Sequence, residues 1–85
     1  MFKDNSGSPW SEFQRAIGAN QTIKLIRDKK ARMIYLAKDA DHAFIAKILS
    51  EINRHGSVPV NTLHSSEELG KKCGIEVRCA VVAFY

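Results

Sequence analysis

Two stretches, Met33-Ile34-Tyr35-Leu36-Ala37 and Cys79-Ala80-Val81-Val82-Ala83-Phe84-Tyr85, are almost wholly apolar and lack the in-out alternation of a strand with one wet face. A strand that reads this way is covered on both sides, so each run demands a layer of structure above it and another below. The first run therefore reads as a central strand and the second as another buried strand near the chain end. In 85 residues there is room for one small domain with a modest core, and not for two.

The segments around these runs supply the covering layers. Residues 1–7 are polar and small apart from Phe2, which suggests a flexible tail preceding a single domain over 8–85. Ser8 followed by Pro9 has the form of an N-cap with proline at the first helical position, and the short helix it starts runs to about Gln14. Trp10 and Phe13, three apart on that helix, are expected to pin it to the core. Residues 15–17 are short enough for one strand, and a helix follows from Asn20 to about Lys29 with Ile23 and Ile26 inward. After the central strand, Asp39 or Asp41 caps a helix in which Phe44, Ile48 and Ile52 recur every fourth residue beside Ile45 and Leu49. Lys47, Ser50, Glu51 and Arg54 take its other side, and Gly56 ends it. Val58-Pro59-Val60 forms a short strand whose proline places it at an edge or at a strand start. Ser65 and Glu68 have capping-box spacing ahead of Leu69, Cys73 and the terminating Gly74. Strands alternating with helices imply a three-layer α/β domain, with helices on both faces of a small sheet.

The segment Gly18-Ala19-Asn20-Gln21-Thr22-Ile23-Lys24 carries the clearest functional content. It opens a helix with amides and a cation where an ordinary cap would stand. A helix start offers unpaired N–H groups and a partial positive charge, and a glycine before it lets another backbone approach. Asn20, Gln21 and Lys24 fall on neighbouring faces of that turn, within reach of a single ligand. Charge points the same way. Residues 15–38 hold Arg15, Lys24, Arg27, Lys29, Lys30, Arg32 and Lys38 against Asp28 alone, a local net charge of +6 in a chain whose total is +4. Such asymmetry suits a polyanion, although a solvated helix and loop would carry charge in the same way.

Cys73 and Cys79 stand alone without a second pair, and no secretory leader precedes the domain, so a reduced, cytoplasmic protein is expected. No apolar run approaches the roughly 20 residues needed to cross a bilayer, which sets aside a membrane-spanning role.

Three stretches taken together resemble the L-seven-Ae ribosomal protein family of kink-turn RNA binders. They are Gly18-Ala19-Asn20-Gln21-Thr22 with Lys24, then Leu36-Ala37-Lys38-Asp39-Ala40-Asp41, then Leu69-Gly70-Lys71-Lys72-Cys73-Gly74-Ile75-Glu76-Val77. The likeness is greatest to the short bacterial, ribosome-associated members and covers roughly residues 17–84. It implies an L-thirty-e-like α-β-α sandwich with a mixed four-stranded sheet that grips a sharply bent RNA duplex as a monomer without a cofactor. It also implies that the helix start at Gly18, Asn20, Gln21 and Lys24 contacts guanines of sheared G·A pairs. The loop of Ile75, Glu76, Val77 and Arg78 would then cover unpaired nucleotides at the bend, and Lys38 would sit near the RNA backbone; Arg27 and Lys30, from the basic segment, are expected to supply further charge. Two positions depart from the pattern: Gln21 stands where archaeal members commonly have glutamate, and Arg78 where a smaller residue is usual. Arg78 either adds a phosphate contact or reshapes the loop.

Elementary recognition chemistry is consistent with this. Regular A-form RNA hides its base edges in a deep, narrow groove, so a protein that reads guanine needs a distorted site. Lysine donates to the O6/N7 edge, and side-chain amides both donate and accept, which suits non-Watson–Crick pairs. Ile75 and Val77 follow a helix-stopping glycine, where their burial would be incomplete without a partner.

Two other classes compete. An enzyme could be drawn from Asp39, Asp41 and His42 with His55 and His64, but the set matches no metal-ligand spacing and aspartates before a helix are more simply its caps. Cys73 and Cys79 lack Cys-x-x-Cys spacing and read as small core residues, and Gly18, Gly70 and Gly74 form no nucleotide loop, each being explained by a turn or close packing. A protein-interaction module on the same fold would make Asn20, Gln21 and Lys24 ordinary surface residues. Salt dependence of binding separates it from an RNA binder, because phosphate contacts release counterions.

Overall fold

A computed structural model describes residues 9–85, so the tail over 1–7 and the cap at Ser8 lie outside the described residues. The elements, in chain order, are α1 (Pro9–Glu12), β1 (Arg15–Ile17), α2 (Ala19–Arg27), β2 (Met33–Leu36), α3 (His42–His55), β3 (Val60–Asn61), α4 (Ser66–Cys73) and β4 (Val81–Phe84). The strands form one mixed sheet in the order β1-β4-β2-β3. β4 pairs antiparallel with β1 (Ile17 opposite Val82) and with β2 (Leu36 opposite Val81), while β3 joins β2 in parallel (Ile34 opposite Val60). The two apolar runs are thus the two interior strands.

Side chains of the interior strands divide by parity. Ile34, Leu36, Val81 and Ala83 point to one face, where they meet Ile23 and Ile26 of α2 and Ile48 and Ile52 of α3. Tyr35, Val82 and Phe84 point to the other, where Leu69 of α4 and Trp10 of α1 cover them. Trp10 packs edge-on against Phe84 and Tyr35, with ring centroids 4.9 and 5.5 Å away. The result is an α-β-α sandwich, with α2 and α3 on one side and α1 and α4 on the other. Each fully buried aliphatic or aromatic side chain of such a core contributes about 1.5–3 kcal/mol relative to exposure.

Several expected boundaries move. α1 stops at Glu12 and Phe13 is exposed, so of the two expected aromatic anchors Trp10 is the one that packs into the core. Gln14 instead pairs its backbone with Tyr85, extending the β1–β4 ladder by one step. α2 ends at Arg27 because Lys29 adopts φ 58°, a left-handed turn that closes the helix through Lys30 N–H to the Leu25 carbonyl. The proline-bearing strand begins only at Val60, since Pro59 has no N–H to donate to the ladder, although its carbonyl accepts from Ile34. Leu49, expected beside the inward stripe of α3, is exposed.

Glu51, expected on the solvent side of α3, is buried instead. Arg27 reaches across from α2 and donates Nε and Nη2 to its two carboxylate oxygens at 3.1 and 3.0 Å. A carboxylate tolerates an interhelical seam when a guanidinium satisfies it bidentately. The pairing holds the Glu51 carboxyl below its usual range, with His55 Nε2 a further 3.6 Å contact.

Candidate nucleic-acid interface

Strand directions decide which residues can share a ligand. β1 and β2 both run against β4, and β3 runs with β2, so three strands end where β4 begins. At this end lie the opening of α2, the turn after β2 with Lys38 and Asp39, the connection from β3 to α4, and residues 75–80. Backbone hydrogen bonds stitch them together. Gly18 N–H donates to the Val81 carbonyl (3.1 Å), Ala37 to Ala80 (2.8 Å) and Lys38 to His64 (2.9 Å). The amide-rich helix start and the loop of Ile75, Glu76, Val77 and Arg78 therefore share one end of the molecule.

The start of α2 follows directly from β1 through Gly18, whose φ of 101° and ψ of 162° would strain any residue with a side chain. Its carbonyl accepts the Thr22 N–H at 3.1 Å, and no side chain caps the helix. Thr22, Ile23 and Ile26 are buried against the sheet, which leaves Asn20, Gln21 and Lys24 exposed on the outer arc of the first turns. Lys24 stands on a ridge between two shallow grooves. One, of about 330 Å³, is lined by Asn20, Arg27 and Lys47, and the other, of about 290 Å³, by Gln21, Lys30 and Tyr85. Lys30 thus lies along the Gln21 groove beyond the far end of α2. Arg27 faces the Asn20 groove, but Glu51 offsets its charge and its main work is to brace α2 against α3.

The loop of residues 75–78 is held at both ends. Ile75 N–H donates to the Gly70 carbonyl at 3.1 Å, and Cys79 N–H donates to the Ser66 carbonyl at 3.0 Å. Ile75 is half-buried among the α1/α4-side core and Val77 is 69% exposed, so burial is incomplete at both and least complete at Val77. Ile75 faces inward because its bond to Gly70 folds the chain back over α4. That fold brings backbone so close that a β-carbon at position 70 would collide with the Val77 carbonyl, which explains a glycine inside a helix. A cleft of about 220 Å³ separates the exposed loop residues from Glu67 and Lys71.

Arg78 extends its guanidinium toward Asp39, with Nη1 3.9 Å from Oδ2, while remaining largely exposed. Asp39 does not cap α3. Its Oδ1 accepts the Ser66 N–H at 2.8 Å and its Oδ2 the Ser66 hydroxyl at 2.9 Å, so the turn after β2 is fastened to the start of α4. These bonds, with the charge of Arg78, hold the Asp39 carboxyl below its usual range. The cap of α3 is Asp41, which accepts the Ala43 N–H at 3.1 Å. The sequence alone left Asp39 and Asp41 equivalent, since a partner 27 residues away leaves no local trace.

Two histidines of the rival enzymatic cluster are engaged elsewhere. His55 meets Glu51 and His64 stacks on Tyr35 at 5.4 Å. Cys73 and Cys79 are free thiols that lie in the α1/α4-side core, where burial pushes Cys73 up to about 11 and also raises Cys79.

Comparison with known proteins agrees with the fold. Residues 14–85 match the profile of the "Ribosomal protein L7Ae/L30e/S12e/Gadd45 family". A relative from Geobacillus thermodenitrificans described as an RNA-binding protein is 39% identical over 67 residues, 79% of this chain and 80% of the relative. Another from Caldanaerobacter subterraneus, also described as an RNA-binding protein, is 34% identical over 70 residues, 82% of this chain and 84% of the relative. Among solved structures, a Giardia lamblia 15.5kD RNA binding protein superposes with a TM-score of 0.73 at 27% identity, covering 82% of this chain and 58% of its own. With the mixed sheet, the two helical layers and this profile extending from before β1 to the chain end, the protein belongs to the L7Ae/L30e/S12e/Gadd45 family.

Proposed function

We propose that this protein is a noncatalytic RNA-binding protein whose target is a kink-turn or a closely related bent internal loop. The observation that carries the reading is the meeting of an α2 start uncapped by any side chain, bearing exposed Asn20, Gln21 and Lys24, with the exposed tip of the 75–78 loop at one end of the sheet. The free N–H groups and the helix dipole favour a nearby anion, and Lys24 adds a full charge one turn on. Asn20 and Gln21 flank that charge with groups able to donate and accept, as non-Watson–Crick guanines require. Val77 offers an apolar surface to an unstacked nucleotide, and Lys38 and Arg78 offer charge to the backbone. The names of the relatives support RNA as the partner class. In this reading the protein works in the cytoplasm as a monomer, on ribosomal or other structured RNA.

Titration into a kink-turn RNA and into a control whose G·A pairs are replaced by Watson–Crick pairs tests the proposal. The expected preference for the kinked RNA is tenfold or more, since each good base contact is worth about 1–3 kcal/mol. Equal affinities, both falling steeply with salt, would reduce the interaction to nonspecific phosphate attraction.

A further inference from the structure

Residues 63 and 64 present their side chains the opposite way from what solvation favours. The His64 ring is turned inward, stacked on Tyr35 at 5.4 Å with its Nδ1 buried and without a hydrogen-bond partner among the described residues, while Leu63 stands 75% exposed. The backbone fixes this arrangement. Leu63 N–H donates to Asn61 Oδ1 at 2.9 Å, and the His64 carbonyl accepts from Lys38 N–H at 2.9 Å. Leu63 is held outward by bonds on either side of it, at the end of the sheet that carries the α2 start.

A single exposed leucine is ordinary on a protein surface. Here, however, Leu63 and Val77 are the most exposed large hydrophobic side chains among the described residues, and both belong to this end. The turn at Lys38 and Asp39 is bonded to the segments carrying each of them, through His64 and Ser66 on one side and Arg78 on the other. Two apolar side chains thus flank a turn bearing an exposed lysine. That combination suits a nucleotide, whose base or ribose offers an apolar face beside a phosphate.

We propose that Leu63 is an RNA-contacting residue, packing against a nucleotide at the bend while Lys38 takes the adjoining phosphate. This assignment rests on the RNA reading above and extends the binding surface to the connection between β3 and α4. The backbone bonds around Leu63 mean that little ordering is left to be done on binding, which raises the yield of a small contact.

The test compares wild type, Leu63→Ser, Leu63→Phe and Lys24→Ala on the kinked RNA and on its G·A-replaced control, with melting curves of each protein. Leu63→Ser is expected to bind the kinked RNA roughly fivefold more weakly, as loss of a partly buried aliphatic contact implies, with an unchanged melting temperature. Leu63→Phe should retain or improve binding by stacking. Wild-type affinity in Leu63→Ser with Lys24→Ala still weakened overturns the role of Leu63 and leaves the RNA reading standing. Failure of wild type to prefer the kinked RNA overturns both. A Leu63→Ser protein that binds RNA normally but no longer cosediments with ribosomes would assign the residue to a protein contact and overturn the proposal.

Discussion

Of the three helices that open at this end of the sheet, α2 and α4 treat their first turns in opposite ways. At α4, Ser65 Oγ accepts the Glu68 N–H at 3.1 Å and Glu68 returns by accepting the Ser65 N–H at 2.9 Å, a complete capping box. Asp39 then takes the Ser66 N–H, so the start of α4 is capped by side chains from within the protein. At α2, Gly18 contributes no side chain and the neighbouring side chains, Asn20, Gln21 and Lys24, point outward. The lesson is a division of labour: the dipole of α4 is spent on joining its own helix to β2, while that of α2 is left for something outside. A helix start capped by its own protein serves stability, and an open one is available to a ligand.

That division can be broken by substitution. The largest effect belongs to Lys24→Ala, which should weaken binding to kinked RNA by roughly tenfold or more, as expected of a base contact worth about 1–3 kcal/mol. Its melting temperature should stay near that of wild type, because the side chain is exposed. Arg27→Ala should reverse the pattern, lowering the melting temperature by stranding Glu51 in the α2–α3 seam, with a smaller loss of affinity that is alike for all RNAs. Equal losses of affinity in both variants on kinked and unkinked RNA would contradict the assigned roles.

Next in size is Gly70→Ala. Displacing the Val77 carbonyl is expected to destabilise by about 1–3 kcal/mol, as overpacking typically does, and to weaken RNA binding by moving the loop. Unchanged denaturant midpoint and affinity would show that loop and helix do not need their close approach. Ser65→Ala should cost about 1 kcal/mol of stability, measured by urea unfolding, and should leave RNA affinity within twofold of wild type, roughly the scatter of such measurements. A large loss of affinity there would erase the contrast between the two helix starts.

The smallest effect is a pH dependence. Asp39, Glu51 and Glu68 all have carboxyls held below their ordinary range by hydrogen bonds and nearby cations, so the folded state binds fewer protons than the unfolded chain. Their contribution is therefore present at neutral pH and is lost as pH falls from about 4 through the lowered folded values. Melting temperature should decline on acidification over that window, and less steeply in Ser66→Ala, which removes the hydroxyl bond to Asp39. A melting temperature that rises on acidification would contradict these pairings.

Much of this was legible in the sequence because the informative patterns are local. Unbroken apolar runs over residues 33–37 and 79–85 marked the interior strands, four-residue periodicity marked α3, and Ser65 with Glu68 announced α4. The outward placement of Asn20, Gln21 and Lys24 likewise follows from helical geometry once Ile23 and Ile26 face inward. Two of the misreadings involve partners distant in the chain. Glu51 looks solvated until Arg27 arrives from 24 residues away, and Asp39 looks like a cap until Ser66 is brought beside it. Phe13 reads as a core anchor until the helix proves one turn long.

Backbone amide shifts of the protein, followed by NMR as kink-turn RNA is added, test most directly whether the α2 start and the 75–78 loop act as one surface. Amides of Asn20, Gln21 and Lys24 are expected to move together with those of Glu76, Val77 and Arg78, saturating at the same RNA ratio, while Arg54 and His55 in the last turn of α3, at the other end of the sheet, move little. Movement of the α2 amides with a silent loop, or saturation of the two sets at different ratios, would show two unrelated surfaces and contradict the account.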